Sequence, residues 1–464
     1  MKLRRLRVER EGAVYEGYEM PKPKSGPEAG GAGKAGAGVE GPGMEDILVL
    51  KLDNGYNISV KSDKKTKITV LGEMEVNPPK TSSEKHEWKG KGGDDKWAAI
   101  LGCGGTIGSR VEYTTGAVYP FVSAEELASQ FPDVKDIANI RTENVFSILS
   151  EDMTPSHWAV IAKKAYDTIK DGAEGVVITH GTDTMHYTSA ALSFIIQDLP
   201  VPIILTGAQR SSDRGSSDTK MNLLSSISVA RSSDLAEVAV CMHGSVNDDY
   251  NLVHRGTKVR KLHSSRRDAF KSVNASPLGK VNARDYSFAP ISSYVKRGKH
   301  KIKDIKFDDR LNENAAMVYM YPGIKPKAID RLSEYDGVVL VGTGLGHVST
   351  NPFGDKLAAS VIDNVRNLIE SDIPVVMTTQ AIGGRVNMNV YTAGRLLKDI
   401  GVIGNLCDWT PETAYVKLCW VLGHAKGCDK VKQEMETNLV GEITERITAG
   451  ADEYAPDNAF YGKE

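Results

Sequence analysis

The sequence predicts an α/β protein: two α/β domains with parallel-rich sheets, preceded by a small all-β domain of the SH3-like barrel kind. Three observations carry this. From Lys96 onward, short apolar runs alternate with stretches of helical periodicity, the pattern of a parallel sheet covered on both faces. Before about residue 76 the alternation is apolar with polar at period two, as in half-buried strands. Between them NPPKTSSEKHEWKGKGGDD is polar and rich in Pro and Gly, a linker over 77–95.

Taken in order, RVEREGAVYEGY (Arg7 to Tyr18) reads as a hairpin turning at Gly12. Residues 21–43 (PKPKSGPEAGGAGKAGAGVEGPG) hold too little apolar surface to offset the entropy of ordering, and are expected to form a flexible insertion. DILVLKLDNGYNISV resumes the strand pattern with Asp53-Asn54-Gly55 as its turn, and KITVLGE adds a strand, so the β domain spans 1–76. In the first α/β domain, 96–290, the strands are WAAILG, NVFSIL, GVVITH and PIILTG, and AEVAVCMHG is expected to close the series. Its helices are SAEELASQF, SHWAVIAKKAYDTIKD, HYTSAALSFIIQDL and MNLLSSISVARSS. An irregular connection over 291–314 leads to the second α/β domain, 315–464. There AAMVYMY, DGVVLVG, PVVMTTQ and a short GVIGN are the strands, with helices between them and at the C-terminal end.

The 464 residues exceed what one small core requires, in line with three domains. A net charge of −2 speaks against a chain built around nucleic-acid backbone. The basic run KRGKHKIK (Lys296 to Lys303) reads as a solvated linker, with nucleic-acid contact as the alternative. Five cysteines without close pairs imply no disulfide framework, and no metal site is expected. The basic N-terminal stretch has no apolar core behind it, and no apolar run reaches the ~18 residues a membrane span needs. The expected compartment is the cytoplasm.

In open parallel sheets, ligands bind beyond the carboxyl ends of the strands. Three motifs are predicted to sit there: GCGGTIGS with Thr106, LSEDM with Ser150 and Glu151, and ITHGTDT with Thr182 and Asp183. For each threonine the plain alternative is a helix cap. GCGGTIGS lacks the Gly-Lys-Ser/Thr ending of a phosphate loop, and no acidic residue follows at the distance a dinucleotide site needs. A threonine hydroxyl needs a base to become a nucleophile. His180 and His186 flank the third motif, and HRGTKVRKLHSSRRDAFKS offers several lysines.

GGTI (Gly104 to Ile107) and HGTDT (His180 to Thr184) resemble the two catalytic threonine motifs of the bacterial-type L-asparaginase/glutaminase family. TGAQRSSDRGSSD, an R-x-x-K segment, FKSVNASPLG and DGVVLVGTGLG extend the resemblance over roughly residues 96–425. It implies a two-domain amidohydrolase with no cofactor of its own, paired as a homodimer through the asparaginase-like domains. It implies Thr106 as primary nucleophile, with Tyr113 hydrogen-bonded to it. Thr182, Asp183 and Lys261 form the second group, a threonine activated through a lysine beside an aspartate. Asp183 would also hold the substrate's ammonium and Ser150 its α-carboxylate, with Glu151 beside it. Lys261 is placed by the downstream FKS anchor, so loss of the nearby Lys258 is expected to be mild.

The chain departs from that family at Glu151, where Gln is common, at Leu345, where Asn is common, and in its N-terminal β domain. LDNGYNI, SEDMTP and WTPETAYVKLCWVLG make the whole resemble more closely a second family, the D subunits of archaeal glutamyl-tRNA(Gln) amidotransferases. That resemblance implies a glutaminase that passes ammonia to an E subunit. The E subunit would use ATP and Mg2+ to convert Glu-tRNA(Gln) to Gln-tRNA(Gln) and would make most of the tRNA contact. The alternative is a free-standing asparaginase/glutaminase with an appended β domain. A non-catalytic binding protein would have no need to keep Thr106, Tyr113, Thr182, Asp183 and Lys261 together.

Overall fold

The computed structural model describes residues 2–20, 47–53, 57–75, 86–88, 95–104, 110–111, 118–119, 131–210 and 216–446. The insertion at 21–43, Thr106, Tyr113 and the helix expected over 123–130 lie outside these residues.

The N-terminal unit is an antiparallel sheet of β1 (Lys2–Arg10), β2 (Ala13–Glu19), β3 (Ile47–Leu52), β4 (Asn57–Lys61) and β5 (Lys67–Glu75). Its order is β4-β3-β2-β1-β5, and β1 and β2 form the hairpin expected around Gly12. One face buries Leu6, Val8, Leu48, Leu50 and Val60, the period-two residues of these strands. Among the described residues β4 and β5 are not paired, so the sheet is open at both edges.

The second unit is built on a nine-stranded mixed sheet. Its strands begin with β6 (His86–Trp88), which forms within the stretch read as a linker, and β7 (Trp97–Gly104). A two-stranded ribbon, β8 (Arg110–Val111) and β9 (Val118–Tyr119), stands apart from the main sheet, which β10 (Asn139–Ile148) rejoins. β11 (Val176–Thr179), β12 (Ile196–Gln197), β13 (Ile203–Thr206) and β14 (Val238–His243) follow. β10, β7, β11, β13 and β14 lie side by side in parallel. β7, β11, β13 and β14 are mostly apolar and buried because both faces of the sheet are covered there, whereas β10 is half-exposed and carries Arg141, Glu143 and Asn144. β14 does not close the series, contrary to the sequence expectation. β15 (Tyr250–Arg255), β18 (Gly279–Asn282) and β19 (Phe288–Pro290) extend the sheet antiparallel beyond it. Between them a separate hairpin, β16 (Val259–Lys261) with β17 (Phe270–Ser272), leaves the sheet. β20 (Lys306–Phe307), in the predicted irregular connection, pairs with β12.

Helices follow the strands. α1 (Val134–Ile137) is a single turn, and α2 (Pro155–Lys170) starts with Pro at its first position. α3 (Met185–Ile195) is buried along nearly its whole surface, and α4 (Thr219–Ser232) covers the opposite sheet face. The third unit has parallel strands β21 (Ala315–Tyr319), β22 (Gly337–Gly342) and β23 (Val375–Thr379). The expected strand GVIGN reduces to one bridge, Val376 to Ile403. Its helices are α5 (Pro326–Asp330), α6 (Ile362–Glu370), α7 (Thr392–Asp399), α8 (Pro411–Leu422) and α9 (Cys428–Glu436). Thr410 caps α8 by accepting from the Thr413 backbone at 3.2 Å, with Pro411 following in the first turn. α8 packs on α3, with Phe194 stacked on Trp420 at 6.0 Å, so the two α/β units share one hydrophobic core. No described helix is long and apolar enough to cross a membrane.

Candidate active site

The carboxyl ends of β7, β10, β11 and β13 converge on one crevice. Gly104 ends β7 with φ +84°, and a side chain there would run into the Ile148 backbone, 2.7 Å from its nitrogen. This contact sets the start of the Gly104–Ile107 motif against the end of β10. Ser150 follows in a short 3-10 turn and is buried, while Glu151 beside it is exposed.

HGTDT stands at the end of β11, and every residue of it has a task other than capping. His180 is fully buried, hydrogen-bonded through Nδ1 to the Gly181 carbonyl at 2.7 Å and through Nε2 to the Thr188 hydroxyl at 2.9 Å. Burial pushes its pKa down to about 4, so it is a neutral structural group. Gly181 gives room to Ser150, since a Cβ would lie 2.6 Å from the Ser150 Cβ and 2.7 Å from its Oγ. Thr182 is 5% exposed, and its hydroxyl accepts from Lys261 Nζ at 2.8 Å. Asp183 accepts from the same ammonium at 2.7 Å, with its carboxylate 65% exposed to the crevice. Thr184 precedes α3 but makes no side-chain cap. Its hydroxyl donates to the Ser150 carbonyl at 2.6 Å and ties β10's loop to β11's.

Lys261 thus meets Thr182 and Asp183, while Lys258 points elsewhere. Lys258 is fully buried and paired with Asp408 of the third unit at 2.9 Å. Burial draws its pKa down and Asp408 opposes this. Lys258 is an internal tie between the units rather than a spare cation at the crevice.

The sequence reading missed the groups that brace the crevice from behind. Asn222 donates to the Gly207 carbonyl at 2.9 Å, and Asp218 accepts from the Gln209 and Arg210 backbones at 3.0 Å each. These bonds fix the turn after β13. His243 bonds Asn222 at 2.6 Å and Asp248 at 3.0 Å, carrying the network to the surface. An aspartate at the start of a helix, at the end of TGAQRSSDRGSSD, was the available signal for Asp218. Thr106 and Tyr113 lie outside the described residues.

A buried hydroxyl held against a lysine and a carboxylate, beside a second buried hydroxyl at Ser150, can orient a charged substrate and move a proton. Comparison with known proteins shows which family the chain is similar to. Residues 98–291 match the family "Asparaginase, N-terminal", 314–435 the "Glutaminase/Asparaginase C-terminal domain", and 40–71 the "GatD N-terminal domain". The thermostable L-asparaginase from Thermococcus kodakarensis superposes with a TM-score of 0.66 at 30% identity, covering 75% of this chain and 100% of the asparaginase. L-asparaginase I from Vibrio cholerae gives 0.64 at 29% identity, covering 75% of this chain and 99% of its own. The D subunit of the glutamyl-tRNA(Gln) amidotransferase of Pyrococcus abyssi is 45% identical over 437 residues, 94% of this chain and 92% of the relative. That of Methanothermobacter thermautotrophicus is 45% identical over 407 residues, 86% of this chain and 88% of the relative. A match running through both asparaginase-type units and into the N-terminal sheet places the chain in one family: it belongs to the D subunits of glutamyl-tRNA(Gln) amidotransferase.

Proposed function

We propose that this chain is the glutaminase subunit of a tRNA-dependent amidotransferase, converting glutamine and water to glutamate and ammonia. A partner E subunit uses the ammonia with ATP and Mg2+ to amidate Glu-tRNA(Gln). The carrying observation is the Thr182–Lys261–Asp183 cluster inside a chain that follows D subunits over 94% of its length.

In this reading the Thr106 hydroxyl attacks the side-chain amide carbon, assisted by Tyr113, and ammonia leaves as an acyl-enzyme forms. Water then releases glutamate. Thr182 is activated through Lys261, whose neutral amine accepts the hydroxyl proton, and Asp183 holds the lysine in place. The exposed side of Asp183 receives the substrate's ammonium, and Ser150 binds its α-carboxylate with Glu151 alongside. No metal is assigned to this chain. It works in the cytoplasm as a homodimer through the asparaginase-type units, with tRNA held mainly by the partner. The N-terminal antiparallel sheet serves docking, in the manner of an SH3-like barrel.

A free-standing hydrolase is disfavoured because the Thermococcus asparaginase is covered completely by only 75% of this chain. The test is to recover the tagged chain from its source cells with whatever accompanies it. A co-purifying subunit that forms Gln-tRNA from glutamine with ATP is expected. Recovery of the chain alone, with full amidohydrolase activity and no tRNA-dependent activity, would favour the free hydrolase.

A further inference from the structure

The proposed role of Lys261 depends on a strand of three residues, β16, whose only ladder partner among the described residues is β17. So short a hairpin does not hold its own geometry. Its apolar side packs into the second unit's core, and its charged ties come from the third unit. Side chains alternate along a strand, so Lys258 and Arg260 share one direction and Lys261 takes the other. The contacts follow that alternation. Lys258 reaches Asp408, and Arg260 Nε reaches Glu412 Oε1 at 2.9 Å, with Arg260 Nη2 donating to the Tyr319 hydroxyl at 3.0 Å. Lys261 faces Thr182 and Asp183.

We propose that Glu412 and Arg260 are positioning residues for Lys261. Their ion pair across the two α/β units fixes the β16 strand so that Lys261 Nζ stays within bonding distance of Thr182 and Asp183. This rests on the reading of Lys261 given above.

Two observations separate this from ordinary stabilisation. Glu412 lies in the first turn of α8 and is 4% exposed, yet its Oε2 has no hydrogen-bond partner among the described residues. A buried ion pair is often no more stabilising than apolar residues of the same size, and a half-satisfied carboxylate less so. Its other near neighbour, His186 at 3.9 Å, is held neutral at pH 7, because burial drives its pKa to about 4. Arg260 is therefore the cation that answers Glu412, and it adjoins Lys261 in the chain. Weaker ties share the load: the Thr413 hydroxyl donates to the Thr257 carbonyl at 3.0 Å, and Asn274 donates to the Asp408 and Gly384 carbonyls at 2.8 and 2.9 Å. These hold the hairpin's base, whereas Arg260 holds the residue next to the lysine.

The test uses the full chain co-expressed with its partner subunit, following glutamine hydrolysis and thermal unfolding together. Because a displacement of about 1 Å can cost on the order of 10²-fold in rate, Glu412→Gln is expected to lower kcat by about 10- to 100-fold with KM changed less than about 3-fold. Arg260→Lys, which keeps the charge but loses the fork, should give an intermediate rate. The double variant Arg260→Met/Glu412→Leu removes both charges and should recover the melting temperature while kcat stays at least about tenfold low. Recovery of both in step would reduce the pair to a structural contact and overturn the proposal, as would an unchanged kcat in Glu412→Gln. If Lys261→Ala kept the wild-type rate in the same assay, the role of Lys261 itself would fall, an outcome distinct from failure of the clamp.

Discussion

The two α/β units end their central strands alike, in glycine-rich turns with threonines, yet their hydroxyls are used differently. In the third unit the Thr343 hydroxyl donates to the His347 carbonyl at 3.3 Å and the Thr379 hydroxyl to the Gly344 carbonyl at 2.5 Å. Thr343 is engaged by the backbone of its own turn, and Thr379 by that of the turn after the neighbouring strand β22. In the second unit Thr182 accepts from Lys261 and donates to no acceptor among the described residues, while Asp183 beside it opens to the crevice. The same strand–turn–helix pattern is a scaffold in one place and the proposed reactive site in the other. What distinguishes them is where each polar group's hydrogen bonds go.

The sharpest way to break this contrast is to remove a hydroxyl from each side. Thr182→Ala and Lys261→Ala should each reduce glutamine hydrolysis by at least about 10³-fold without unfolding the chain. Thr379→Ala should change the rate less than about 3-fold and lower stability by about 1 kcal/mol. Steady-state kinetics with thermal melts measures both, and equal kinetic damage at Thr182 and Thr379 would erase the distinction.

Next in size is the tie between the units. Lys258→Ala strands Asp408 in the interior, and breaking a buried pair in this way costs about 3–5 kcal/mol. Chemical denaturation should show the loss directly. A wild-type midpoint would mean that Lys258 is dispensable, as its sequence context suggested.

A smaller and more selective effect is expected at Gly181. The Cβ of Gly181→Ala would press on Ser150, so it should raise KM for glutamine about tenfold while kcat falls less. A pure kcat defect would argue against Ser150 as a substrate contact.

Much of the scaffold was legible because burial writes itself into composition. β7, β11 and β13 are almost wholly apolar, and α3 is mostly so, and these could be read directly, as could the period-two hairpin of β1 and β2. The antiparallel extension was not. β15 carries Tyr250, Asn251, His254 and Arg255, and looks like polar loop until its partners are known. Thr182 and Asp183 were legible as excess chemistry at a turn, but Lys261 was placed by resemblance, since nothing local separates it from Lys258. Arg260 and Glu412 lie 152 residues apart, so no local pattern could join them.

Acid should act on the two units unequally, and this is the gentlest probe. His180 and His186 are buried neutral with pKa values near 4, and His254 near 3, all in the second unit. The unfolded chain protonates these below about 6.5 and the folded chain does not. Stability is therefore full above that pH and falls as pH drops from about 6.5 towards 4, by at most about 1.4 kcal/mol per unit for each histidine. Hydrogen exchange at pH 5 against pH 7 should show the second unit loosening first, whereas uniform loosening would contradict the assignment.

The most direct measurement is amidation by the assembled complex carrying Thr182→Ala. Gln-tRNA formation driven by glutamine should be lost, and formation driven by a high concentration of free ammonium should persist at the wild-type level. Retained glutamine-driven amidation, or failure of ammonium in a complex that is still assembled, would contradict a site that makes ammonia for a partner.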